Sequence, residues 1–141
     1  MNLPGLTLPA AQDALYAELK DAEALAAVQV DLGFPTSIQP DHVWVQGAGD
    51  GSTESELSGS TAPSAETFHL TVFCLASHGL PYAEVRDAVT VMAGAVFAAL
   101  DSSAFAAIAP AWKLSNYTFD EGTDGTNRQV ALELVLECRV W

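Results

Sequence analysis

Gln129-Val130-Ala131-Leu132-Glu133-Leu134-Val135-Leu136-Glu137-Cys138-Arg139-Val140 decides the fold class of this chain. Val130, Leu132, Leu134, Leu136, Cys138 and Val140 take alternate positions, with Gln129, Glu133, Glu137 and Arg139 between them. A period of two sends the first set to one face of a strand and the second set to the other. A strand with one oily face needs a sheet beside it and a covering layer above it.

Working back from that strand, Asp120 to Asn127 is rich in turn formers, and Trp112 to Phe119 reads as the preceding strand, so the two form a hairpin. Pro81 opens a helix that runs to about Leu100, with Glu84 and Asp87 favourably placed for the dipole of its first turns. Its apolar stripe is Val85, Ala88, Val89, Met92, Val96, Ala99 and Leu100. Gly94 is expected to allow a close approach, and Ala93, Ala95 and Ala98 leave the remaining surface small and apolar, which points to a second packing partner. Ala104 to Ala109 is expected to add one helical turn before Pro110.

Thr67 to Ala76 is a further strand, with Phe68, Leu70, Val72 and Cys74 on one face. Near the start, Thr7 is a candidate N-cap and Pro9 a first-turn residue for a helix to about Ala27, with Leu15, Leu19, Ala22 and Ala26 as its stripe. Gly33, Pro35 and Pro40 break the chain into turns before a short strand at His42 to Gln46. From 47 to 66 the composition shifts to small, polar and acidic residues, Leu57 being the only large apolar one. That segment is expected to be a mobile loop or a long hairpin projecting from the body, ordered on assembly. The expected architecture is α+β in one domain spanning 1–141. A mostly antiparallel sheet of four to five strands is packed by the N-terminal helix and helix 81–100.

Composition bounds the function. Of 141 residues, 50% are hydrophobic and only 16% charged, so a core is feasible without disulfides or metals and some apolar surface is expected to be covered by partners. Eighteen acidic against five basic residues give a formal net charge of −13, the wrong sign for nucleic-acid or anionic-membrane binding. No stretch reaches membrane-span length, and the first residues lack the pattern of a signal peptide. Cys74 and Cys138 fall among apolar strand residues without CxxC spacing, so buried free thiols are expected, in a reducing cytoplasmic setting.

Chemistry finds little footing. His42, His69 and His78 fit no metal-ligand spacing. Asp120 to Asn127 has Asp124-Gly125 at the fifth and sixth places of a calcium loop, but Gly122 at the third and Ala131 at the twelfth. Ser77-His78 lies outside any nucleophile-elbow context, and Gly47-Ala48-Gly49-Asp50-Gly51 has no Lys-Ser/Thr after it. Glu54/Glu56 and Glu133/Glu137 read as solvated surface. No catalytic residue, cofactor or metal is expected.

The order of elements nonetheless resembles a known family. The residues that carry it are Asp13-Ala14-Leu15-Tyr16 with Leu19, then Gly33-Phe34-Pro35 before Val43-Trp44-Val45. A polar loop, the strand 67–73, the helix from Tyr82-Ala83-Glu84-Val85-Arg86-Asp87-Ala88-Val89 to Leu100, and the closing hairpin Leu114 to Phe119 with Gln129 to Arg139 complete it. This layout is similar to the tail-terminator or tail-completion proteins of long-tailed bacteriophages. The resemblance implies a virion protein at the head-proximal end of the tail, assembled in the host cytoplasm as a ring of six copies. Such a ring ends tube polymerisation and joins the head. Its implied partners are itself, the major tail tube protein and the head–tail connector (stopper) protein, with DNA passing through unbound and no membrane. Gly51, Ser52, Thr53, Glu54, Ser55, Glu56, Leu57, Ala95 and Ala98 are the expected interface residues. The other readings are another connector, neck or tail-tube component, or a small α+β protein-binding adaptor.

Overall fold

In the computed structural model, residues 7–55 and 64–140 are described. Helix α1 (Thr7–Asp21) is followed by a short 3-10 turn (Glu23–Leu25), strands β1 (Gln29–Leu32), β2 (Asp41–Ser55) and β3 (Ser64–His78), and helix α2 (Tyr82–Leu100). A one-turn helix α3 (Ser103–Ala106) then leads into β4 (Ala111–Asp124) and β5 (Asn127–Val140). The strands form one sheet in the order β1-β2-β3-β5-β4, antiparallel except for the β1–β2 pair. This is the expected α+β architecture.

The alternation in β5 holds. Val130, Leu134, Leu136 and Cys138 are buried, while Leu132 is half-buried. Their cross-strand partners on β3 are Ala76, Val72, Leu70 and Phe68, and these join the α2 stripe Val85, Val89, Met92 and Val96 in one core. Residues directly opposite share a face, so β3 and β5 present a continuous apolar surface to the helices. α1 adds Ala11, Leu15 and Leu19, all fully buried. It lies close against β2: a Cβ at Gly47 would come within 3.0 Å of Leu8 Cδ2, and Gln12 Nε2 donates to the Val45 carbonyl at 3.0 Å.

Several expectations are corrected. α1 ends at Asp21, not near Ala27; the chain turns there to enter β1, and Ala26 is exposed. β1 itself lies where only turns were expected, and Gly33 leaves it with φ +77°. Pro81 precedes α2 as its cap residue. Gly94 is exposed and a Cβ there would meet nothing within 4 Å, so no described part of this chain approaches it closely. The closing hairpin turn is shorter than 120–127: the strands run to Asp124 and from Asn127, with Gly125 at φ +62° as the first of two loop residues.

Segment 47–66 is in part a hairpin. Its arms pair Gly47↔Leu70, Ala48↔His69 and Ser52↔Thr67 through Ser55↔Ser64, with a bulge between Ala48 and Ser52. The expectation for its tip, residues 56–63, lies outside the described residues. Among the described residues no helix is long and apolar enough to cross a membrane.

Candidate interaction surfaces

The helices cover only part of the sheet. β4 forms one edge, and every described side chain from Lys113 to Thr123 is exposed. A bulge sits between Leu114 and Asn116, opposite Leu136 and Val135. Ser115 is the extra residue, and it shifts the alternation by one. Leu114, Tyr117 and Phe119 therefore face the same way as Leu136, Leu134 and Leu132, towards the helix layer, yet remain 39%, 62% and 42% exposed. α2 reaches β4 only at its flanks. Phe97 stacks on Trp112 with ring centroids 6.0 Å apart, and the Tyr82 hydroxyl donates to the Glu121 carboxylate. That hydrogen bond, more than any burial, holds the Tyr82 phenol above its ordinary range. The result is a long free edge bordered by an apolar strip.

Two histidines are paired in ways the sequence does not announce. His42 is buried; Gln39 N–H donates to its Nδ1 at 3.0 Å, which places the ring proton on Nε2, directed at Asp31. His78 Nε2 lies 2.7 Å from Asp41 Oδ1. Both pairs tie strand ends together, β1 to β2 and β2 to β3. Among the described residues no three His, Cys, Asp or Glu side chains converge as a metal centre requires. A wide-open recess of about 480 Å³ is lined by Ala26 to Gln29 and Gln39 to Asp41. Its one carboxylate, on Asp41, is already engaged by His78.

Cys74 and Cys138 are free and buried. Burial pushes both thiols up to about 12, with the neighbouring Glu137 charge adding to the effect at Cys138. Neither is a nucleophile at neutral pH.

On the sheet face away from the helices, Trp44 stacks on Phe73 at 5.0 Å, with Phe34 and His42 edge-on to the indole. Phe34 itself is 69% exposed. Trp44 Nε1 and Gln46 Oε1 are buried there without hydrogen-bond partners. Of the expected interface residues, Gly51 to Ser55 lie on the outer arm of β2, and Glu56 and Leu57 lie outside the described residues. Ala95 is half-buried against the core and Ala98 is exposed on α2, neighbours in chain of exposed Val91 (53%) one or two turns earlier. In the sheet, β2 and β4 are separated by β3 and β5, so the backbone of Gly51 to Ser55 and the β4 strip are not neighbours.

Among solved structures, the chain is similar in fold to a chain of the virion of a native gene transfer agent particle. The TM-score is 0.54 at 18% sequence identity, over 96% of this chain and 98% of that one. No family model matches the chain, and no curated protein matches it by sequence.

Proposed function

We propose that the chain is a virion structural protein that forms a ring, of six copies, on the head-proximal end of a phage-type tail tube. There it ends tube polymerisation and offers the surface to which the head joins. The observation that carries this reading is the fold likeness to a virion chain over nearly the whole length of both proteins. It is a structural role with no enzymatic chemistry, residing in the virion tail after assembly in the host cytoplasm.

Physical features support it. A ring closes through heterologous contacts, which need two different surfaces on one subunit. The β4 edge supplies one, with unpaired backbone groups and the exposed Leu114, Tyr117 and Phe119 beside them. The outer edge of β2 beyond Val45, where β1 stops, lies on the opposite side of the sheet and supplies a second. The net charge of −13 per copy gives a wall that repels duplex DNA within a Debye length of about 8 Å.

The test combines native mass spectrometry of the protein alone with electron microscopy after addition of tail tubes. Rings seated on one end of each tube, and a halt to tube growth, are the expected result. Long tubes built from this protein alone would make it the tube subunit instead. Tight binding of duplex DNA at physiological salt, or no association with tubes, would overturn the reading.

A further inference from the structure

The sheet face opposite the helices holds a recess of about 120 Å³ whose walls follow from strand register. One row across the sheet reads Trp44, Phe73, Glu133, Thr118, and the next reads His42, Leu75, Ala131, Asp120. Ala131 carries nothing beyond Cβ, so the position between Leu75 and Asp120 is a dip. Phe73 and Leu75 wall one side and the two carboxylates rim the other. Among the described residues neither Asp120 nor Glu133 has a cationic partner within ion-pair distance, whereas Glu137 in the same strand holds Lys113 at 3.6 Å.

A second observation comes from a different side chain. Trp44 lines the same recess and is 6% exposed, and its indole Nε1–H is buried without an acceptor. A buried donor left unmet is costly, and it becomes satisfied when an incoming group brings an acceptor.

We propose that this recess receives an arginine side chain presented by a partner protein. A guanidinium is planar and weakly hydrated. It stacks on an aromatic face and bonds carboxylates through a fixed fork of donors, so an aromatic wall with two free carboxylates matches it better than it matches a compact ammonium. The peptide that carries the arginine also brings backbone carbonyls, the acceptor type that Trp44 lacks. The partner is a basic protein: a carboxylate-rimmed recess on a chain of net −13, with only five basic residues, is complemented by a surface of opposite charge. The site does not depend on ring formation, and it is read on the isolated chain.

Nuclear magnetic resonance on the full-length, nitrogen-15-labelled chain tests it, following the Trp44 indole and Ala131 amide signals. The probe is a blocked Gly-Arg-Gly tripeptide, with Gly-citrulline-Gly as the neutral isostere and Gly-Lys-Gly as the ammonium control. The arginine peptide should give saturable shifts at both signals, weakened roughly tenfold by Glu133→Gln, while citrulline gives none. Ala131→Leu, which fills the dip, should abolish the shifts; should that variant fail to fold, the surface change Glu133→Gln still decides. The proposal is overturned by an absence of saturable shifts, by shifts that Glu133→Gln leaves unchanged, or by equal binding of the citrulline or lysine peptide. Calcium ions that reproduce the shifts at lower concentration than the arginine peptide would also overturn it.

Discussion

β5 and β4 are hydrogen-bonded neighbours with apolar residues on the same face, yet they live in different environments. Leu134 is 2% exposed and Leu136 fully buried; directly opposite them on β4, Tyr117 is 62% exposed and Leu114 39%. The difference is the helix layer. α2 packs on β3 and β5 and stops short of β4, which it meets through Trp112 at one end and Glu121 at the other. A strand paired on one side and capped by helices becomes core. The same pattern one strand further out becomes an exposed edge, which proteins ordinarily shorten, charge or cover. β4 runs for 14 residues with Leu114, Tyr117 and Phe119 left open, a pattern suited to a surface that meets a partner.

The largest expected effect lies on the buried side. Leu134→Ala removes a side chain held between β3, β5 and the helices, and should destabilise the fold by about 2–5 kcal/mol in denaturant titration. A loss under about half a kilocalorie would place this face outside the core and erase the contrast with β4.

A pH effect on the same side should be smaller at neutrality and grow in alkali. Burial raises the Cys74 and Cys138 thiols from 9 to about 12. In the unfolded chain they ionise near 9, so the folded state binds more protons across that window. Their contribution to stability is therefore complete below pH 9 and is lost as pH rises towards 12. Denaturation midpoints followed from pH 8 to 11 should fall, and Cys74→Ala should flatten the fall. Rapid alkylation of both thiols in the native protein at pH 8 would contradict the burial that causes it.

The long, periodic segments of this fold were readable from residues alone: β5, β3 and α2 carry enough repeats for the period to declare itself. What escaped depends on tertiary context. β1 is only Gln29–Leu32, too short to show a period, and it exists because β2 offers it an edge. The alanines after Asp21 favour helix intrinsically, but the chain must turn to enter β1, so α1 stops early. Ser115 hid the apolar strip of β4, since strict alternation separates Leu114 from Tyr117 and only the bulge reunites them. The His42–Asp31 and His78–Asp41 pairs span 11 and 37 positions, separations that no local motif encodes. The proposed arginine recess was equally invisible, because Ala131, Glu133, Phe73 and Asp120 meet only through the register of three strands.

The smallest expected effect on the isolated fold is the most telling for β4. Tyr117 sits opposite Leu134, so Tyr117→Ala is the mirror of the core substitution one strand over. Its side chain is 62% exposed, so little apolar area returns to water when it is removed, and the remaining cost is that of β-propensity on an edge. The expected loss in denaturant is below about 1 kcal/mol, with an unchanged slope. If β4 joins neighbouring subunits, the same substitution, alone or with Phe119→Ala, should sharply reduce the fraction of tubes that carry a ring. Interface aromatics concentrate binding energy in a few positions, and each contact recurs around a closed ring. The two readouts must be taken on the same variant. A large stability loss would mean that Tyr117 belongs to the core after all, and full capping by the double variant would remove β4 from the contact surface.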